Sequence, residues 1–249
     1  MTSLVNHPIA LFGAMFTALL VVVEIGYRVA PQTSVNGKEE LHEEIVAARD
    51  GIGVLLSLLL AFTLGMVLTR YDSRKQLIVD EANAIGTTRL RAQILAEPFR
   101  TNILALLQRY LDARISFSEA GSNEERSKAS FSQAQELLDE LWQQSAAAAQ
   151  QSPTPITSIF VQSLNETTDL SESRLAALEN RLPVALWLVL IFISTLICLL
   201  VGYSLRRKAL LVILVWPLVI SIVLALSADL DSPRAGLIQI GQQSMERLR

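Results

Sequence analysis

Residues 51–69 read GIGVLLSLLLAFTLGMVLT, and residues 70–92 continue RYDSRKQLIVDEANAIGTTRLRA with no proline in either stretch. The first stretch carries no ionisable side chain and has about the ~20 residues needed to cross a hydrocarbon layer. The second is charged but holds no stop signal, so the helix is expected to run on to Glu97, where Pro98 ends it. One unbroken helix, apolar in its first part and charged in its second, describes a membrane span with a polar extension.

Three further apolar blocks lie at 8–29, 183–203 and 209–227. The first does not fit a cleaved signal peptide. No Lys or Arg precedes Pro8, the block contains Glu24, and its exit reads Tyr27-Arg28-Val29-Ala30 where small residues are wanted. Pro183 suits a first helical turn, and Pro217 should kink the last span. Segment 30–50 is read as a short loop and 228–249 as a C-terminal tail. Between spans two and three, segment 70–182 reads as polar helix. Phe99–Glu119 carries Ile103, Leu106, Leu107, Tyr110 and Leu111 at helical spacing, Ala120-Gly121-Ser122-Asn123 is a turn, and Glu124–Gln150 and Ile156–Leu182 follow. Nothing alternates with period two. The expected fold is all-α: an integral membrane protein with four transmembrane helices and a helical extramembrane domain formed by extensions of spans two and three.

Composition narrows the function by exclusion. The chain is 51% hydrophobic and 18% charged with a net charge of −3, so it lacks the basic face of a nucleic-acid binder. Cys198 is the sole cysteine and His7 and His42 are the only histidines, which leaves almost no material for disulfides, metal sites or a catalytic triad. There is no Gly-x-Ser-x-Gly elbow and no phosphate loop, so no enzyme, cofactor or metal is expected. An even number of spans puts both termini and segment 70–182 on one side. The lack of extracellular marks favours the cytoplasm for that side, while the basic turn Ser204-Leu205-Arg206-Arg207-Lys208 counts for the opposite orientation.

Four features could carry function. Gly53, Ser57, Ala61, Gly65 and Thr69 recur every four residues along span two. Small residues at this spacing let helices approach closely in lipid; in an oligomer they also leave room for ions along a pore, with Phe62 as a constriction. Both readings stay open. At the exit of the span, Arg70, Arg74, Glu81 and Asn83 serve either as interfacial anchors and inter-helix hydrogen bonds or as a charged pore mouth. Glu24 is the one ionisable residue well inside a span, with Arg28 one turn later as its natural partner. In Asp229-Leu230-Asp231-Ser232-Pro233-Arg234-Ala235-Gly236 two carboxylates lie two apart, fewer oxygens than calcium wants, so a cap or a partner for Arg234 is the plainer reading.

The run from Leu55 to Leu95, with Arg70-Tyr71-Asp72-Ser73-Arg74 and Glu81-Ala82-Asn83-Ala84-Ile85-Gly86-Thr87-Thr88, resembles the bacterial bestrophin-like family of membrane proteins, and Asp229-Leu230-Asp231-Ser232-Pro233 is similar to that family's Asp-x-Asp-x-Pro segment. The resemblance implies a bacterial inner membrane and kinship with bestrophins, which are pentameric anion channels with a pore along the second span. The chain departs from animal bestrophins in lacking a Trp-rich segment after span two and an acidic calcium clasp, so calcium gating does not carry over. The function expected is a homo-oligomeric channel for inorganic ions in the lipid bilayer; the rival is a non-conducting scaffold or sensor whose helical domain binds a partner protein.

Overall fold

The structure is a computed structural model that describes residues 8–30, 38–205, 209–234 and 236–249. The segment before Pro8, most of the expected 30–50 loop's first half and the basic residues of the 204–208 turn lie outside the described residues. Among the described residues there is no strand. The helices are α1 (Pro8–Val29), α2 (Lys38–Ala92), α3 (Phe99–Glu119), α4 (Glu124–Gln151), α5 (Pro155–Glu179), α6 (Val184–Ser204), α7 (Leu210–Asp231) and a single turn, α8 (Gln243–Glu246). Four of them are long and apolar enough to cross a membrane.

Helix boundaries differ from the sequence reading in four places. The expected 30–50 loop is helical from Lys38 onward. Residues 38–50 are good helix formers with acidic side chains near the start, where the helix dipole favours negative charge, and no glycine or proline intervenes before Gly51. At its other end α2 stops at Ala92 rather than Glu97. Its last turn tightens, with Ile94 and Leu95 N–H donating to the carbonyls of Arg91 and Ala92, because the residue before Pro98 is pushed out of the helical region. α5 ends at Glu179, where Asn180 turns extended, and the chain is non-helical before Pro183; α7 runs on to Asp231, past the expected end at 227.

The chain divides into two units. One comprises residues up to Thr69, 181–232 and 236–238; the other comprises 70–180, 233–235 and 239–249. The first holds α1, the apolar part of α2, α6 and α7. Its core is built from Leu19, Val23, Leu56, Leu60, Leu190, Ile197, Cys198, Val201, Ile220 and Leu224. The α1–α6 crossing is a backbone contact. A Cβ at Gly26 would overlap the carbonyl oxygen of Leu199, and one at Gly202 would overlap that of Val23. In lipid, where apolar surface gains nothing from leaving water, such close approach supplies van der Waals packing that larger residues would prevent. Asp231 and Asp229 hold the end of this unit together. Leu182 N–H donates to both carboxylate oxygens of Asp231 (3.1 and 3.2 Å), and Leu237 and Ile238 N–H donate to Asp229 (2.9 and 3.1 Å). Gly236, at φ +121°, sits where any Cβ would overlap that carboxylate. The Asp-x-Asp run is therefore a backbone clasp.

The second unit holds the polar part of α2, α3, α4, α5 and α8 around a core that includes Ile78, Ile85, Leu107, Tyr110, Leu111, Leu137, Leu141, Phe160, Leu164 and Met245. Asn123 caps α4 by accepting from Arg126 N–H, and Thr154 caps α5 by accepting from Thr157 N–H. Gly121 at φ +53° makes the α3–α4 turn.

Gly202→Val is expected to destabilise the protein by about 1–3 kcal/mol or more through overpacking, read as a lower unfolding temperature in detergent. Gly13→Ala, at a site with nothing within 4 Å of the new Cβ, should leave that temperature unchanged or slightly raised.

Candidate functional site

On α2, the residues that meet the rest of the first unit are Gly53, Leu56, Leu60, Thr63 and Val67, all buried. A Cβ at Gly53 would lie 3.2 Å from the Trp216 ring and 3.7 Å from Ile197. Ser57, Ala61, Gly65 and Thr69 are exposed, and nothing lies within 4 Å of a Cβ at Gly65. The stripe thus divides. Each four-residue step rotates by about 40°, so the line that starts packed at Gly53 ends on the opposite, uncovered face. Large side chains share that face, including Leu55, Leu58, Phe62 (62% exposed) and Met66. The hydroxyls of Ser57, Thr63 and Thr69 donate to the carbonyls of Gly53, Leu59 and Gly65, four residues back on their own helix. Glu24 pairs with Arg28 at 2.8 Å on the same helix face, as their spacing led one to expect.

The residues read as a possible pore mouth separate. Asn83 is exposed and Arg70 is half-buried. Arg74 and Glu81 are buried inside the second unit and do not form a solvated ring. Arg74 donates to the carbonyls of Ala177 (3.0 Å) and Asn180 (2.9 Å), accepting groups that the end of α5 leaves without helical partners. Glu81 is 0% exposed and is the centre of a charged triad. Arg114 from α3 grips it with two bonds, Nε to Oε1 at 2.5 Å and Nη2 to Oε2 at 3.0 Å. Arg174 from α5 donates Nη1 to Oε2 at 2.7 Å and Nη2 to Ser118 (2.6 Å) and Gln242 (3.1 Å). The Tyr110 hydroxyl completes the shell at 3.2 Å. Burial alone would push the Glu81 carboxyl up, but the charges and hydrogen bonds of Arg114 and Arg174 outweigh it and hold the group below its ordinary value. Burial and the neighbouring Glu81 charge push the Tyr110 phenol up, so it stays a neutral donor.

Sequence reading of single residues missed Arg114 and Arg174. A signal was present. Both sit on apolar faces at helical spacing, Arg114 following Leu107, Tyr110 and Leu111, and Arg174 following Phe160, Leu164, Thr167 and Ser171. A charge on a core face needs a buried partner, and Glu81 lies on the core face of α2 between Ile78 and Ile85. Another missed contact joins α2 to α5 through Thr88, whose hydroxyl meets Ser163 O and Thr167 Oγ1, each at 2.9 Å. A Cβ at Gly86 would lie 3.3 Å from the Leu248 side chain. Among the described residues no group of three His, Cys, Asp or Glu side chains is placed to hold a metal.

Four apolar helices, backbone contact between two of them and a separate polar helical unit define a multi-pass α-helical membrane protein. Its family follows from the sequence as a whole: the bestrophin-like domain matches residues 7–245, and the chain belongs to the bestrophin-like family. No curated protein and no solved structure matches it.

Glu81→Gln leaves two buried guanidiniums facing a neutral amide and is expected to cost about 3–5 kcal/mol of stability at neutral pH. Because the folded carboxyl titrates below its ordinary 4.5, its contribution is present above that value and lost as pH falls through the lower folded value. The gap between wild type and Glu81→Gln in denaturant unfolding should therefore narrow as pH drops below about 4.

Proposed function

We propose that the chain forms a homo-oligomeric channel for inorganic ions, with α2 lining the pore. The observation that supports this most is the uncovered face of α2. Over its membrane-crossing stretch, Ser57, Ala61, Gly65 and Thr69 lie exposed beside Phe62, while Leu56, Leu60 and Val67 face the core of the same chain. A helix that packs on one side and presents small residues on the other suits the inner wall of a ring of subunits. There the small side chains leave width and Phe62 narrows the path by a dewetting constriction. Kinship with bestrophins favours five subunits and passage of anions. The bacterial inner membrane with both termini in the cytoplasm is the setting this reading adopts, and no chemical step is assigned to the chain.

The rival, a non-conducting scaffold or sensor, draws support from the hydroxyl groups of the seam. Ser57 and Thr69 donate to their own backbone, as side chains in dry surroundings do.

Purified protein in planar bilayers decides between them. The channel reading expects single-channel currents, a severalfold rise in conductance in Phe62→Ala, and loss of current with retained oligomer size in Gly65→Leu. The reversal potential in asymmetric potassium chloride reads the preference for anions. Silence across salts and voltages, with Gly65→Leu breaking the oligomer instead, would establish the scaffold.

A further inference from the structure

We infer that the second unit contains a binding site for a small tetrahedral oxyanion of the phosphate or sulfate class, independent of whether the chain conducts. A partly open cavity of about 70 Å³ is lined by Arg74, Arg174, Arg234, Ser118, Gln239 and Gln242, with apolar walls from Ile78, Phe117, Leu178 and Ile240. Among the described residues no carboxylate lines it. Its wall carries three guanidiniums, several of whose N–H groups are already engaged by the protein, together with two primary amides and a hydroxyl.

These groups are held in place before any ligand arrives. Arg74 is anchored on the carbonyls of Ala177 and Asn180. Arg174 is anchored on Glu81 and Ser118. Arg234 donates to Ser127 at 2.5 Å and lies 4.4 Å from the centre of the Phe117 ring. Planar guanidiniums fixed on three separate segments of chain suit an ion with oxygens pointing in several directions better than a single spherical halide.

Charge points the same way. The buried triad behind the cavity sets two guanidiniums against one carboxylate, and Nη1 of Arg114 is buried with no hydrogen-bond partner. An excess positive charge away from water is costly, and an anion beside Arg174 offsets it. The cavity is small, about 70 Å³, which suits a small ion such as phosphate or sulfate. Since Arg234, Gln239 and Gln242 come from the C-terminal segment and the rest from α2, α3 and α5, the bound ion ties that segment to the helices.

The full chain, purified in detergent in chloride buffer, is titrated by calorimetry with inorganic phosphate, sulfate and additional chloride at matched ionic strength, and hydrogen exchange is followed at the amides of 239–242. Saturable binding of phosphate and sulfate is expected, with slowed exchange in that segment and no equal response to chloride. Arg234→Gln and Gln239→Glu should each weaken phosphate binding by about tenfold or more, while the exposed Lys128→Gln binds as wild type. Gln239 is exposed, so its variant decides the matter even if Arg234→Gln does not fold. Absence of saturable oxyanion binding at millimolar concentrations, an equal response to chloride, or unchanged affinity in Gln239→Glu would overturn the site.

Discussion

A peptide group surrounded by hydrocarbon has no water to bond, so each one must find its partner inside the protein. That constraint makes the four apolar blocks helices, and it governs the polar side chains they carry. Ser57, Thr63, Thr69, Thr17 and Thr195 all donate to a carbonyl four residues back. Glu24 takes Arg28 from its own helix. Where an apolar stretch ends, the freed backbone groups are met by side chains, as the Leu182 amide is by Asp231. With hydrogen bonds settled within each helix, association depends on how closely helices fit. The backbone contact of Gly26 and Gly202 is the clearest case, since those two positions let α1 and α6 touch without side chains between them.

In the polar unit the governing fact is a buried carboxylate. Glu81, Arg114 and Arg174 bring together α2, α3 and α5, and Ser118 and Gln242 extend the network to the end of α3 and the C-terminal segment. Taking three charges out of water contributes little net stability even when they pair well. What the triad specifies is geometry: one carboxylate receives both guanidiniums, which fixes where α2, α3 and α5 meet. The two arginines outnumber their acid, and this imbalance is what makes the adjoining cavity attractive to an anion.

Much of this was legible along the chain. The spans at 8–29, 183–203 and 209–227 and the polar helices at 99–119 and 124–150 follow from runs and spacings of apolar residues, and the structure places helices there within a residue or a few. The Glu24–Arg28 pair was legible because its partners are one turn apart. For Glu81 and Arg74 a reading along α2 left inter-helix hydrogen bonds and a charged pore mouth with Arg70 both open, and it could not name their partners. Partners such as Tyr110, Arg114 and Asn180 lie 29, 33 and 106 positions away, on or at the end of helices whose packing no local pattern reveals. The four-residue seam was legible as a repeat, yet its division into a packed end at Gly53 and an uncovered end from Ser57 depends on where α6 and α7 stand.

The sequence alone therefore determined membrane insertion, the seven long helices and their rough limits. These follow from hydrophobicity, backbone hydrogen bonding and the conformational limits of proline and glycine, all properties of neighbouring residues. Only the tertiary structure decided that Gly26 meets the backbone of α6 and Gly202 that of α1, that the two aspartates at the end of α7 clasp backbone amides, and that Glu81 is buried between Arg114 and Arg174. Those outcomes join residues far apart in the chain. Their energies depend on distance in space and on the exclusion of water, and neither quantity exists until the helices have packed.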